Sequence, residues 1–134
     1  MKNKKIVFVD DNPNDLVLYG AMLKSMQYEV LLINDPTIAL SKINEFKPDI
    51  IFLDLNLGEN ISGLSLLKQI KRTNFKGTIC ILSGMSDSNI IHRSLENGAN
   101  EYLLKPVYSN LLNNVIEHSD GNIKGYSKHL FGSC

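Results

Sequence analysis

Cysteine is scarce. There are two, Cys80 inside an apolar run and Cys134 at the terminus. With no metal-like spacing between them they make no disulfide framework, and Cys80 reads as a small buried residue. Long apolar runs are missing as well. The run after Met1–Lys5 extends only from Ile6 to Val9 before Asp10, too short for the apolar segment of a secretory signal. No stretch approaches the roughly 20 apolar residues of a membrane span. Net charge is absent too: Lys+Arg and Asp+Glu are 14 each. The chain thus carries no overall basic field for nucleic acid or an acidic membrane, which argues against direct DNA binding. There is no glycine-rich phosphate loop or Walker motif, and no repeat, low-complexity stretch or internal linker. His92, His118 and His129 are scattered without ligand spacing and read as surface residues. These absences describe a soluble cytoplasmic domain, in which the sequon Asn60-Ile61-Ser62 is a chance match.

What remains is a chain of 134 residues, the size of one domain, with a 43% apolar fraction that is enough for a core. Strand-length apolar runs alternate with helix-type segments. Ile6 to Val9 is the first run and stops at Asp10-Asp11-Asn12-Pro13, where Asn12 can cap a helix, Pro13 can open it and Asp15 lies near the positive end of its dipole. Leu16, Tyr19, Leu23 and Met26 then recur at helical spacing. Tyr28 to Ile33 is the second strand candidate, and Asn34-Asp35-Pro36 repeats the cap-then-proline signal before a helix with Ala39, Ile43 and Phe46 on its apolar stripe. Lys47-Pro48 ends that helix. Ile50 to Leu53 is apolar at every position, as suits a parallel strand buried on both faces. Leu55 to Ser62 reads as a loop, and Leu64, Leu67 and Ile70 as a helix stripe. Thr78 to Leu82 is the fourth strand, ending at Ser83-Gly84. Ser86 or Asp87 can cap the next helix, which stops at Asn97-Gly98. Glu101 to Leu104 is the fifth strand, and Leu111, Leu112, Val115 and Ile116 mark the last helix. Five strands alternating with five helices imply an α/β fold of parallel βαβ units with right-handed crossovers. The domain is expected over 4–118, with 119–134 as a C-terminal tail or the start of a linker.

In an open α/β sheet, ligands bind outside the carboxyl ends of the strands. Four of the five predicted strands end there in a residue with useful chemistry: Asp10 with Asp11, then Asp54, Ser83 and Lys105. Singly, an aspartate after a strand is a helix cap, Ser83 a turn hydroxyl and Lys105 a surface charge. Together they place three carboxylates, a hydroxyl and an ammonium on one edge. Three crowded carboxylates raise one another's pKa, and a hard divalent cation among them relieves the repulsion. Oxygen ligands without cysteine or clustered histidine suit Mg²⁺ or a similar ion such as Mn²⁺. Such an ion beside a lysine and a hydroxyl is a cradle for a phosphoryl group.

From about Lys5 to His118 the sequence resembles a two-component response-regulator receiver domain. The motifs are Val9-Asp10-Asp11-Asn12, Asp54 closing the third run, Ser83-Gly84 closing the fourth, and Gly98-Ala99-Asn100-Glu101-Tyr102-Leu103-Leu104-Lys105-Pro106 around the fifth. The resemblance implies a flavodoxin-like (βα)5 sheet of strand order 2-1-3-4-5 with helices on both faces. It implies that Asp54 accepts a phosphoryl group from the phosphohistidine of a histidine kinase or histidine phosphotransfer protein. Asp11, Asp54 and the backbone carbonyl of Asn56 would hold the metal, with Asp10 acting through a metal-bound water. Lys105 and Ser83 would contact the phosphoryl oxygens, and Tyr102 would be the aromatic switch. Gly84, Met85 and Pro106 would support the site, with Lys105-Pro106 resembling the family's cis peptide. The face of the fourth helix, fifth strand and fifth helix would then bind a downstream target or a second copy in a homodimer. The chain would promote its own phosphorylation and dephosphorylation without turning over an external substrate.

Three positions depart from the family's pattern. Leu57-Gly58 stand where a Met-Pro pair often follows, and Gly63 falls one position later than usual after the aspartate, so the Leu57–Gly63 loop is expected to be longer by one residue. Met85 either shields the phosphoryl group from water, giving a long-lived acyl phosphate, or merely covers a helix start. Tyr102 is either the switch or a half-buried strand residue. Two other functions stand beside the leading one. A phosphorylation-independent binding module should lack part of the acidic site, which is complete here. A phosphohydrolase of the Asp-x-Asp type should carry a second carboxylate where Asp54-Leu55-Asn56 has an amide. The receiver either stands alone or belongs to a larger protein, such as a hybrid histidine kinase.

Overall fold

The computed structural model describes residues 4–56 and 62–119. The strands are β1 (Lys5–Val9), β2 (Glu29–Ile33), β3 (Ile50–Leu53), β4 (Thr78–Ser83) and β5 (Glu101–Leu104). The helices are α1 (Pro13–Ser25), α2 (Ala39–Phe46), α3 (Gly63–Arg72), α4 (Ser88–Glu96) and α5 (Ser109–Glu117). All four strand pairings are parallel, and the order is β2-β1-β3-β4-β5. The flavodoxin-like order is therefore present.

Two apolar layers explain the unbroken apolar runs of β1 (Ile6 to Val9), β3 (Ile50 to Leu53) and β4 (Ile79 to Leu82). Val7, Val9, Ile51, Leu53, Ile79 and Ile81 point to one face and pack on residues of α2, α3 and α4. Ile6, Phe8, Ile50, Phe52, Cys80 and Leu82 point to the other and meet Tyr19 and Leu23 of α1 and Leu112, Val115 and Ile116 of α5. Period-two alternation within a strand supplies both layers at once. Cys80 is free and buried. Among the described residues no helix is long and apolar enough to cross a membrane.

Local signals set the element ends. The Asn12 side chain accepts from the backbone N–H groups of Asn14 and Asp15 at 2.9 and 3.1 Å, the cap that its place before Pro13 predicts. Asp35 caps a single 3₁₀ turn (Pro36–Ile38), from which α2 continues. Lys47 closes α2 in the left-handed conformation at φ 57°. Asp87, rather than Ser86, caps α4, and Gly98 takes φ 113° just past its end. Small differences from the sequence expectation have simple causes. Tyr28 is outside β2, and its hydroxyl donates to Asn113 Oδ1 at 2.8 Å. On α3, Leu66 joins Leu67 and Ile70 in the core while Leu64 is only half-buried. Ser83 belongs to β4 itself.

At Gly63 the chain passes close to the end of β3. Its N–H donates to the Leu55 carbonyl at 3.0 Å. A Cβ there would stand 2.3 Å from Leu55 Cα and 2.6 Å from the Asp54 carbonyl oxygen, so only glycine lets α3 start against the end of β3.

Glu101 was not expected in the interior. It is 0% exposed, its Oε2 has no hydrogen-bond partner, and its Oε1 accepts only from the Tyr102 N–H at 3.3 Å. Burial pushes its pKa from 4.5 up to about 8, against a smaller opposing pull from that N–H. Between those two values the folded state keeps a proton that the unfolded chain has released. Stability from this group is therefore fully present below the unfolded pKa, falls as pH rises through the window, and is flat above the folded pKa. Glu101→Gln, neutral at every pH, should be more stable than the wild type in urea denaturation near pH 8, with the gap closing toward about pH 5. The same pH slope in both proteins would contradict the buried, unpaired carboxyl.

Candidate functional site

The carboxyl ends of β1, β3, β4 and β5 deliver the charged residues. Asp10 follows β1 directly, its N–H donating to the Ile33 carbonyl at 3.0 Å, and Asp54 follows β3, its N–H donating to the Val9 carbonyl at 3.0 Å. Lys105 follows β5, its N–H donating to the Ser83 carbonyl at 2.8 Å. Each functional residue is thus tied by its backbone to the neighbouring strand, which fixes where its side chain begins.

At the centre sits the Lys105 ammonium. It donates to Asp10 Oδ2 at 2.8 Å, Asp15 Oδ2 at 2.7 Å and Asp54 Oδ2 at 3.1 Å. The second oxygens of two of these carboxylates are also engaged: Asp10 Oδ1 accepts from the Asn12 N–H at 2.9 Å, and Asp54 Oδ1 from the Asn56 N–H at 3.1 Å. Burial raises the Asp10 pKa to about 6. The hydrogen bonds from Lys105 and Asn12 oppose that rise, and the nearby Asp54 charge adds to it. Burial works to neutralise Lys105, but its hydrogen bonds to Asp10 and Asp15 and the charges of Asp54 and Asp10 outweigh it and raise its pKa. The ammonium therefore stays charged. The Tyr19 ring lies 5.9 Å from it.

A pocket of about 390 Å³ opens over this cluster, lined by Asp11, Asn12, Asp15, Asp54, Asn56, Ser83, Gly84, Met85 and Lys105. Asp10 is fully buried and lies behind that wall. Ser83 is buried, and its Oγ accepts from the Met85 N–H at 3.2 Å, which leaves its O–H as a donor. Gly84 is exposed with open space around its Cα. Met85 is 40% exposed, so it rims the pocket without closing it. Tyr102 is wholly buried, its hydroxyl donating to the Met85 carbonyl at 2.6 Å. Its ring is inward in this structure, not half-buried. The Lys105-Pro106 peptide is cis.

Of the predicted site residues, Asp11, Asp54, Asn56, Ser83, Gly84, Met85 and Lys105 meet at one pocket, with Asp10 and Tyr102 packed behind it. Pro106 is exposed. Residues 57–61, in the loop expected to be longer by one residue, lie outside the described residues, as do His129 and all of the proposed tail beyond Ser119. His92 and His118 are exposed, and the His118 ring meets the Asn114 carbonyl at 2.8 Å. Two residues were missed. Asp15 was read only as a first-turn acid, yet it makes the shortest contact to Lys105. Tyr19 was read only as helix stripe, yet its hydroxyl accepts from the Val107 N–H at 3.1 Å and so ties α1 to the segment after Lys105. The signal for Asp15 was its place one turn into the helix that begins at the end of β1.

Among the described residues no three acidic, histidine or cysteine side chains are placed to hold a metal ion; Asp10 and Asp54 are both turned onto the ammonium. The pocket does offer the carboxylates of Asp11, Asp15 and Asp54 and the amide oxygens of Asn56. Oxygen donors of this kind, completed by water, fit a hard divalent cation.

Comparison with known proteins bears on the family and the fold. A sequence model described as the response regulator receiver domain matches residues 6–117. The chain is 33% identical over 104 residues to the alkaline phosphatase synthesis transcriptional regulatory protein PhoP of Bacillus subtilis, covering 78% of this chain and 43% of that protein. It is 31% identical over 102 residues to the transcriptional regulatory protein ZraR of Klebsiella oxytoca, covering 76% of this chain and 23% of that protein. The chain thus spans less than half the length of these relatives. Among solved structures, the BeF3-activated N-terminal receiver domain of Klebsiella pneumoniae RstA is 33% identical with a TM-score of 0.77, covering 86% of this chain and 97% of that one. A CheY-like response regulator receiver domain protein from Methanospirillum hungatei JF-1 is 26% identical with a TM-score of 0.80, covering 89% and 95%.

The ammonium should be a structural necessity as well as a chemical one. Replacing it by Lys105→Met leaves the buried Asp10 carboxylate unpaired and should cost about 3 kcal/mol in urea denaturation near neutral pH. Adding Asp10→Asn should recover part of that loss. An unchanged midpoint for Lys105→Met would show that the carboxylates need no cation to coexist.

Proposed function

This chain belongs to the response regulator receiver domain family, and we propose on that premise that Asp54 is its phosphoacceptor. The observation that carries the reading is the convergence of Asp54, Lys105, Ser83, Asp11 and Asn56 on one pocket, with Asp54 Oδ2 3.1 Å from the Lys105 ammonium. An Asp54 oxygen attacks the phosphorus of a phosphohistidine on a kinase or phosphotransfer protein. The P–O bond forms as the P–N bond breaks, and the electron pair passes to the imidazole nitrogen. Such a transfer needs positioning and charge neutralisation more than covalent chemistry from the protein.

Asp11, Asp54 and the Asn56 carbonyl would hold Mg²⁺ (or Mn²⁺), with Asp10 behind them acting through water. The ion supplies positive charge for the phosphoryl oxygens. The chain's own residues do the rest. Asp54 is held in place by β3 and by the Asn56 N–H. Lys105 neutralises phosphoryl charge, and the Ser83 hydroxyl donates a hydrogen bond to it. Ser83 and the Tyr102 hydroxyl both engage the Met85 backbone, so movement of Ser83 bears directly on the Tyr102 anchor. The resulting population shift alters the face made by α4, β5 and α5, where a downstream target or a second copy docks. The setting is cytoplasmic, and the protein acts as a signal carrier rather than a turnover enzyme.

Incubation with Mg²⁺ and acetyl phosphate should add one phosphoryl mass, stable in acid and labile in base, and Asp54→Asn should abolish it. Equal labelling of Asp54→Asn would remove the assignment, and no labelling of the wild type by any donor would favour a phosphorylation-independent binding module. Met85→Glu, which places charge at the pocket rim, should shorten the acyl-phosphate lifetime measured by decay of that mass. Equal lifetimes would mean that Met85 only covers the start of α4.

A further inference from the structure

A lysine ammonium has three hydrogens to donate. In this structure carboxylate oxygens take all three: Asp10 at 2.8 Å, Asp15 at 2.7 Å and Asp54 at 3.1 Å. A phosphoryl oxygen on Asp54 therefore finds no free donor on Lys105, and one carboxylate has to let go. Burial decides which. The Asp10 side chain is 0% exposed, and leaving it there without its cation would strand a buried charge. Asp54 carries the phosphoryl group itself and stays beside the ammonium. The Asp15 side chain is 31% exposed, so water can replace the ammonium on it. Asp15 also sits in the first turn of α1, where the helix dipole favours an anion with or without a partner.

We propose that Asp15 is a positioning residue that holds Lys105 in the unphosphorylated site and is exchanged for a phosphoryl oxygen when Asp54 is modified. The proposal rests on the reading of Asp54 as the acceptor. It makes the Asp15–Lys105 pair a brake. The pair has to be broken for the phosphoryl group to be held, and the Asp15 charge repels the incoming anion. Loss of that charge should favour the phosphorylated form, although it removes a member of the site.

The test uses Asp15→Asn and Asp15→Glu in the full chain at saturating Mg²⁺. Asp15→Asn should bind trifluoroberyllate more tightly and label faster with acetyl phosphate, each by roughly two- to fivefold, the size expected for a partly exposed ion pair. Asp15→Glu, which can still reach the ammonium, should return both towards wild type. A first-turn acid with only a structural role would lower the urea midpoint in Asp15→Asn and leave binding and labelling unchanged, and that result overturns the proposal. So does Asp15→Glu behaving like Asp15→Asn. The hold on Lys105 is also read without any donor, from hydrogen exchange at its ¹⁵N-labelled ammonium, assigned by its loss in Lys105→Arg. Exchange should quicken several-fold in Asp15→Asn, and unchanged exchange overturns the proposal. A wild type that neither labels nor binds trifluoroberyllate would instead remove the Asp54 reading, leaving the exchange measurement to decide the role of Asp15.

Discussion

Three carboxylates share one ammonium at the carboxyl edge of the sheet, and the remainder of the structure is arranged around that fact. Asp10, Asp15 and Asp54 repel one another, and burial of Asp10 adds a desolvation cost. Lys105 offsets both at once, because its three donors match three acceptors. The arrangement is stable only if the ammonium arrives in the right place. The Lys105 N–H on the Ser83 carbonyl and the Val107 N–H on the Tyr19 hydroxyl place its backbone.

The same edge explains why the sheet is so apolar. The buried runs Ile6 to Val9 of β1 and Ile50 to Leu53 of β3 hold Asp10 and Asp54 with little freedom, since each strand is packed on both faces. The polar residues stand where the apolar run stops, one backbone hydrogen bond from the adjacent strand. Precision at the site is therefore a property of the core, while groups outside it, such as the partly exposed Asp15 and the exposed Met85, are less confined by packing.

Much of this was legible in the sequence. The unbroken run Ile50 to Leu53 ending on Asp54 signals a buried parallel strand, and the cap at Asn12 before Pro13 marks where α1 starts. Asp11, Ser83 and Lys105 followed because strand ends in such a sheet share an edge. Asp15 was less legible because first-turn acids are common on helices for dipole reasons alone. Nothing local indicates that this turn of α1 reaches over to the end of β5. Tyr19 was hidden for a similar reason, since a helix stripe reports which side is buried and not what a hydroxyl at its end will meet. The burial of Glu101 was not legible, because a charged residue opening a strand ordinarily faces solvent. Its burial depends on packing across the sheet beside Cys80, its register partner in β4, which no short window of sequence contains.

The close approach at Gly63 bears on how this fold tolerates change in length. The Gly63 N–H is bonded to the Leu55 carbonyl, and its Cα abuts the backbone of Asp54 and Leu55. Both ends of the connection from β3 to α3 are therefore pinned within one hydrogen bond of each other. For a chain segment whose ends are already fixed, the entropy of closure grows only with the logarithm of its length. One further residue costs about 0.1 kcal/mol. An insertion just downstream of Asp54 can thus be thermodynamically almost silent, provided the glycine that fastens it is kept.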